Sequence, residues 1–244
     1  MPTRAELKRD AKEAMRGRKP SIYLVTFVYC IIAYVISMLA ERILLPGFDI
    51  SYVTDPDTLA YYFLYNSPSV FAQLLSILLQ IMSYIIGVGL TIVCLRASRR
   101  MQAGIGDLFD GFGLFFKLIW LSIVSGFFTF LWSLLLVVPG IIAAYRYSMA
   151  VYILLDNPEY SAMECIRQSK QLMDGHKLDL FVLQLSFIGW YILTAIPFVS
   201  IYVTPYTEVT TANFYNALIG RVPSEPADAE ETRSWDSYRE PWDQ

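Results

Sequence analysis

The chain has 244 residues, 55% of them apolar and only 17% charged, with a mean hydropathy of +0.44. A soluble domain carries about 25% charged residues, so the composition excludes an ordinary soluble domain and points to lipid. The net charge of −3 averages a basic start (seven Lys/Arg against three acids in residues 1–20) with an acidic end (three Arg against seven acids in 221–244), and neither is the clustered basic face of a nucleic-acid binder.

Residues 1–20 read as a cytoplasmic amphipathic helix. Thr3-x-x-Glu6 is a capping box. Leu7, Ala11, Ala14 and Met15 follow helical spacing, with Lys and Arg on the other face. Such a helix is expected to lie on the membrane with its stripe in the headgroup zone. Gly17 would end it in a left-handed turn, and Arg18 and Lys19 would sit at the turn, their stems apolar and their charges at the phosphates.

Residues 20–40 then carry no charge over 21 positions. This run exceeds the roughly 7–15 apolar residues of a signal-peptide core and no small-x-small cleavage pattern follows it, so it reads as a retained span over about 21–40. The 41–69 loop holds one cation, Arg42, beside Asp49, Asp55 and Asp57, and its Tyr61, Tyr62, Phe63 and Tyr65 suit an outer aromatic belt. Further uncharged runs separate Asp57 from Arg96, Lys117 from Arg146 and Asp179 from Glu208. A crossing needs about 20 apolar residues, so spans are expected at about 70–95, 115–138, 140–156, 179–196 and 198–219. Between the second and third of the six lie Asp107 and Asp110, expected to cap the helix that follows. Before the fifth lies a second capping box, Ser161-x-x-Glu164, leading a stripe of Ala162, Ile166, Ser169 and Met173. Cys165 and Leu172 flank it, and Gly175, His176 and Lys177 form the elbow into the bilayer. From Val222 the chain is rich in Pro, Glu and Asp, and 221–244 is expected to be a disordered acidic cytoplasmic tail.

The elbow recurs. RDAKEAMRGRKPSIY from Arg9 aligns without a gap on RQSKQLMDGHKLDLF from Arg167, and RASRRMQAGIGDLF from Arg96 follows with small gaps. The expected architecture is therefore all-α: an integral membrane bundle, residues 21–220, of six transmembrane helices arranged as three repeats of surface helix plus helical hairpin. Internal repeats of this kind are common in transport folds. The Lys/Arg bias of the 1–20, 96–117 and 157–178 segments places both termini in the cytoplasm.

Chemistry is sparse. Cys30, Cys94 and Cys165 show no CxxC spacing, so neither a disulfide framework nor a metal site is expected. His176, the one histidine, reads as an elbow residue. No catalytic constellation is recognisable, and neither an enzyme nor a cofactor is expected. The polar residues inside the spans are the candidate site: Arg146, Glu208 and Gln80. A charge within a span costs about 2.5–3.5 kcal/mol on insertion scales, so each should face the bundle or water. Two readings stand. Arg146 and Glu208, at similar depth on adjacent units, could pair and lock helices, or Arg146 could snorkel outward alone. Alternatively they line a path for a solute or lipid headgroup.

The stretch from Pro139 to Leu193, PGIIAAYRYSMAVYILLDNPEYSAMECIRQSKQLMDGHKLDLFVLQLSFIGWYIL, followed by PYTEVTTANFY from Pro205, resembles a bacterial membrane-protein family, domain of unknown function 975. The resemblance extends over nearly the whole chain. It implies a multi-pass protein of the bacterial inner membrane and carries no established activity. Its expected partners are the lipid bilayer and other membrane proteins, with no nucleic acid. Two functions compete: a non-enzymatic protein that supports the envelope or assembles with partners, and a transporter or channel for a small solute or lipid. A water-filled or lipid-sized cavity reaching Arg146 favours the second and a closely packed bundle the first.

Overall fold

The structure is a computed structural model describing residues 2–16, 20–46, 67–194 and 198–221. All regular structure among the described residues is helical: α1 (Arg4–Met15), α2 (Ile22–Leu44), α3 (Val70–Ser98), a 3-10 segment (Gly106–Leu114), α4 (Phe115–Leu135), α5 (Val137–Tyr147), α6 (Ala150–Asp156), α7 (Ala162–Leu172), α8 (Lys177–Leu185), α9 (Ile188–Leu193) and α10 (Ser200–Leu218).

Among the described residues four stretches are long and apolar enough to cross a membrane: Ile22–Leu44, Val70–Ser98, Gly106–Leu135 and Val137–Asp156. The expected fifth span is broken at Ser186–Phe187 into α8 and α9, each shorter than a crossing. The expected sixth is α10, continuous over 19 residues but diluted by Pro205, Glu208 and several threonines. The α4–α5 hairpin also turns earlier than expected. Leu136 alone links the two helices, in an extended conformation, and Pro139 falls in the first turn of α5. Proline is tolerated there because a first-turn N–H has no partner within the helix. The outward face of α4 is apolar, with Phe116, Trp120, Phe127, Phe130 and Leu134 each more than half exposed. A patch of this size is a liability in water and the normal surface in lipid.

The helices form two neighbourhoods. α10 packs on α1, α2 and α3, and the 3-10 segment lies against α3. α4 packs on α5, α6 and α7. At Gly89 of α3, a Cβ would stand 1.8 Å from the Leu108 carbonyl oxygen, so only glycine lets the 3-10 backbone come this close.

The amphipathic helices overturn one expectation. α1 buries Leu7, Ala11, Ala14 and Met15, the stripe read from spacing, but against α10 and α3 rather than lipid. Asn213 donates to the Leu7 carbonyl at 3.3 Å, and Lys8 donates to the Ser186 carbonyl at 3.2 Å while lying 4.0 Å over the Phe187 ring. α7 likewise buries Ala162, Cys165, Ile166 and Ser169 against its neighbours. Protein offers the stripes closer packing than a fluid headgroup layer does.

Both capping sequences work as caps. The Thr3 hydroxyl accepts from the Glu6 N–H, and the Thr3 N–H donates to the Glu6 carboxylate at 2.7 Å. These bonds hold the Glu6 carboxyl below its usual range. Ser161 accepts from the Glu164 N–H at 3.2 Å, but the Glu164 side chain turns to Arg167 and Gln168 instead of closing the box.

Candidate functional site

A cavity of about 850 Å³ opens between α2, α3, the α5–α6 junction and α10. α3 gives it Gln80, Ser83, Tyr84 and Thr91. Gln80 to Thr91 is eleven residues, roughly 16 Å along a helix at 1.5 Å per residue. α2 gives Tyr29 and, near its end, the exposed Glu41. Tyr152 of α6 and Thr204 and Glu208 of α10 complete the polar wall. Among the described residues Glu208 has no ion-pair or hydrogen-bond partner, and no lysine, arginine or histidine lines the cavity. Pro205, beside Thr204, cannot donate to the Ile201 carbonyl, so α10 loses a backbone bond next to this wall.

Of the three polar residues singled out inside the spans, the fold therefore brings Gln80 and Glu208 to one cavity and leaves Arg146 out. No ion pair joins Arg146 to Glu208 among the described residues, which corrects the pairing considered above. The reason is rotation. Arg146 and Ser148 are two residues apart, about 200° around a helix at 3.6 residues per turn. Ser148 faces the cavity, whereas the Arg146 carbonyl accepts from Ser169 of α7 at 2.8 Å. The Arg146 Nε is buried without a hydrogen-bond partner.

Below the cavity lies a polar cluster that sequence reasoning missed. Arg99 donates two bonds of 2.6 Å to Asp156, and its Nε donates to Asn216 at 3.0 Å. Asn216 donates to Ser98 at 2.8 Å, and the Tyr215 hydroxyl donates to Asp156 at 3.0 Å. Arg221 stands 3.7 Å from the same carboxylate. Tyr152, in the cavity wall, stacks on Tyr215 with ring centroids 5.2 Å apart, so the cluster underlies the cavity floor. The signal was present in the sequence: Arg99 and Asp156 each follow or end a long apolar run, with opposite charges.

Asp107 and Asp110 are not caps. Both bind Arg96, at 2.6 and 2.9 Å, and Asp107 also accepts from the Gly104 N–H at 2.9 Å. Helix α4 starts without a side-chain cap. At the elbow, Gly175 has φ +80°, a left-handed turn as expected. The equivalent turn after α3 is made by Arg100 at φ +57°, with Met101 and Arg100 donating to the Arg96 and Ala97 carbonyls, so Gly104 is not the turning residue there. His176 lies 3.0 Å from Asp179 and Lys177 3.1 Å from Asp174, so both elbow side chains have carboxylate partners close by. Gly17 and Lys19, the 47–66 loop aromatics and the tail beyond Arg221 lie outside the described residues. Burial pushes the Cys165 thiol up, away from the reactive thiolate. Among the described residues no cluster of three or more His, Cys, Asp or Glu could hold a metal ion.

Residues 133–222 match the family model described as Protein of unknown function (DUF975). This segment, under half of the chain, is similar to a domain of unknown function 975. The DUF975 match runs from the end of α4 through α10, less of the chain than the resemblance suggested. It takes in Asp156, Gly175 and Glu208 but not Gln80 or Arg99, so both the cavity and the cluster beneath it are completed by residues outside the matched segment. No curated protein and no solved structure matches the chain.

Proposed function

We propose that the protein binds a small polar solute in this cavity and passes it across a bacterial inner membrane. The carrying observation is the cavity, which takes in Gln80 and Glu208 though it does not reach Arg146 as the sequence criterion asked. Its volume falls within the roughly 300–1,000 Å³ of small-molecule sites, and Gln80 and Glu208 both line it. The envelope-support reading rested on surface helices free to sense lipid, and that support weakens because the α1 and α7 stripes are buried in protein. In this proposal the chain crosses six times with both termini cytoplasmic. The fifth crossing is the broken pair α8–α9 and the sixth is α10. Three units of amphipathic element plus hairpin repeat along the chain. The shared Thr3 and Ser161 caps and the shared buried stripes of α1 and α7 support that repeat.

Uptake into proteoliposomes tests the function, using ethanolamine, choline, glycerol, glycine and acetate as solutes. At Gly87 an added Cβ would meet only the Tyr29 hydroxyl, at 3.7 Å. Gly87→Trp should therefore obstruct the cavity and abolish uptake. Uptake by no solute above protein-free vesicles, or uptake unchanged in folded Gly87→Trp protein, refutes the proposal. Labelling of a tail cysteine from outside intact cells refutes the cytoplasmic C-terminus.

A further inference from the structure

We infer that the solute is an organic cation and that Glu208 is its counter-ion, an inference that rests on the cavity reading above. Two carboxylates line the cavity, Glu41 exposed at the end of α2 and Glu208 half-buried on α10, and no basic residue answers either from the wall. Arg146, the cation the sequence placed at similar depth, does not line the cavity. A carboxylate within a membrane bundle needs a positive partner, and with no described residue supplying one, a ligand can. The space is far larger than a bare ion requires, and the walls carry Tyr29, Tyr84 and Tyr152. Tyrosine rings attract ammonium groups, and their attraction strengthens where water is excluded. Gln80, Ser83 and Thr204 add hydrogen-bonding groups for the rest of such a molecule. The chemistry recognised is thus an ammonium group on a small polar body.

Charge-selective labelling in lipid nanodiscs tests this. Ser83→Cys places a thiol on the cavity wall, and Ser67→Cys, exposed ahead of α3, serves as the control. Each is treated with a quaternary-ammonium and with a sulfonate methanethiosulfonate, and labelling of the parent cysteines is subtracted. The cationic reagent should be favoured at Ser83→Cys over Ser67→Cys by about tenfold or more, as one unscreened charge nearby allows. Glu208→Gln should remove most of that preference. Choline should protect the thiol, and its neutral isostere 3,3-dimethyl-1-butanol should not. If neither reagent labels Ser83→Cys, the cavity reading itself fails. Equal labelling by both reagents leaves the cavity standing and overturns the cation. A preference that survives Glu208→Gln overturns Glu208 as the counter-ion, and equal protection by the two isosteres overturns the ammonium.

Discussion

Replacing Asp156 by leucine removes the acceptor of a two-bond guanidinium clasp, and the structure sets the cost. Arg99 and Asp156 are 17% and 12% exposed at the side chain, so both charges are largely withdrawn from solvent. Removing one partner of a buried pair costs about 3–5 kcal/mol because the other stays charged and unpaired. Arg99 would keep its bond to Asn216, and residual exposure softens the penalty, so the lower end applies. Asp156→Leu should therefore cost about 3 kcal/mol, or ~150-fold in the unfolding equilibrium. Arg99→Leu should cost less, about 2 kcal/mol, since Asp156 would keep Tyr215 and a nearby Arg221. The double variant removes both charges and should lose less than the sum by about 1 kcal/mol or more. Unfolding of all four proteins in dodecyl sulfate mixed micelles, followed by circular dichroism, measures the cycle. Losses additive within about 0.5 kcal/mol would refute the reasoning, since uncoupled groups behave that way.

The same cycle on Arg146→Leu and Glu208→Leu should be additive within about 0.5 kcal/mol, because Glu208 lines the cavity and Arg146 does not; a clear coupling energy would restore the ion pair. Gly175→Val should destabilise by about 1–2 kcal/mol, the cost of a left-handed backbone for an L-residue with a Cβ, whereas Gly104→Ala, with open space around it and no positive φ, should leave the thermal midpoint unchanged. Glu6 carries a lowered folded pKa, so its cap contributes above the unfolded pKa and is lost as pH falls through the lower, folded one. A carbon-13 titration of labelled glutamates should place Glu6 below an unperturbed glutamate, and Thr3→Ala should raise its midpoint toward the ordinary range.

Charge-free runs made four of the helical stretches legible, because exclusion of charge from hydrocarbon is severe enough to mark a sequence unaided. The caps at Thr3 and Ser161 were legible for a local reason: donor and acceptor lie three residues apart, and no distant contact competes. What faces what was less legible. The α1 stripe was correct residue for residue, yet its partner was taken to be lipid, because spacing records that a face is apolar and not which apolar surface covers it. Arg146 and Glu208 were matched by depth alone, and depth without rotation about the helix axis leaves a side chain free to point anywhere on a circle. Asp107 and Asp110 were read as local caps, whereas Arg96, more than ten residues upstream, held both. Gln80 and Glu208 were found by their cost in lipid, but the cavity that collects them needed α2, whose Glu41 carried no signal of its own.

The bond from Asn213 to the Leu7 carbonyl joins residues 206 positions apart. α1 is made well before α10, the helix that packs most on its stripe. At about 5–20 residues per second, translation leaves that stripe without α10 for roughly 10–40 s. During this interval Leu7, Ala11, Ala14 and Met15 form an apolar face, flanked by lysines and arginines, that has only α3 to cover it. The membrane surface is the natural holding place for such a helix. The lipid-seeking character read from the sequence would then suit the nascent chain, since docking of α1 onto α10 has to wait until α10 is made.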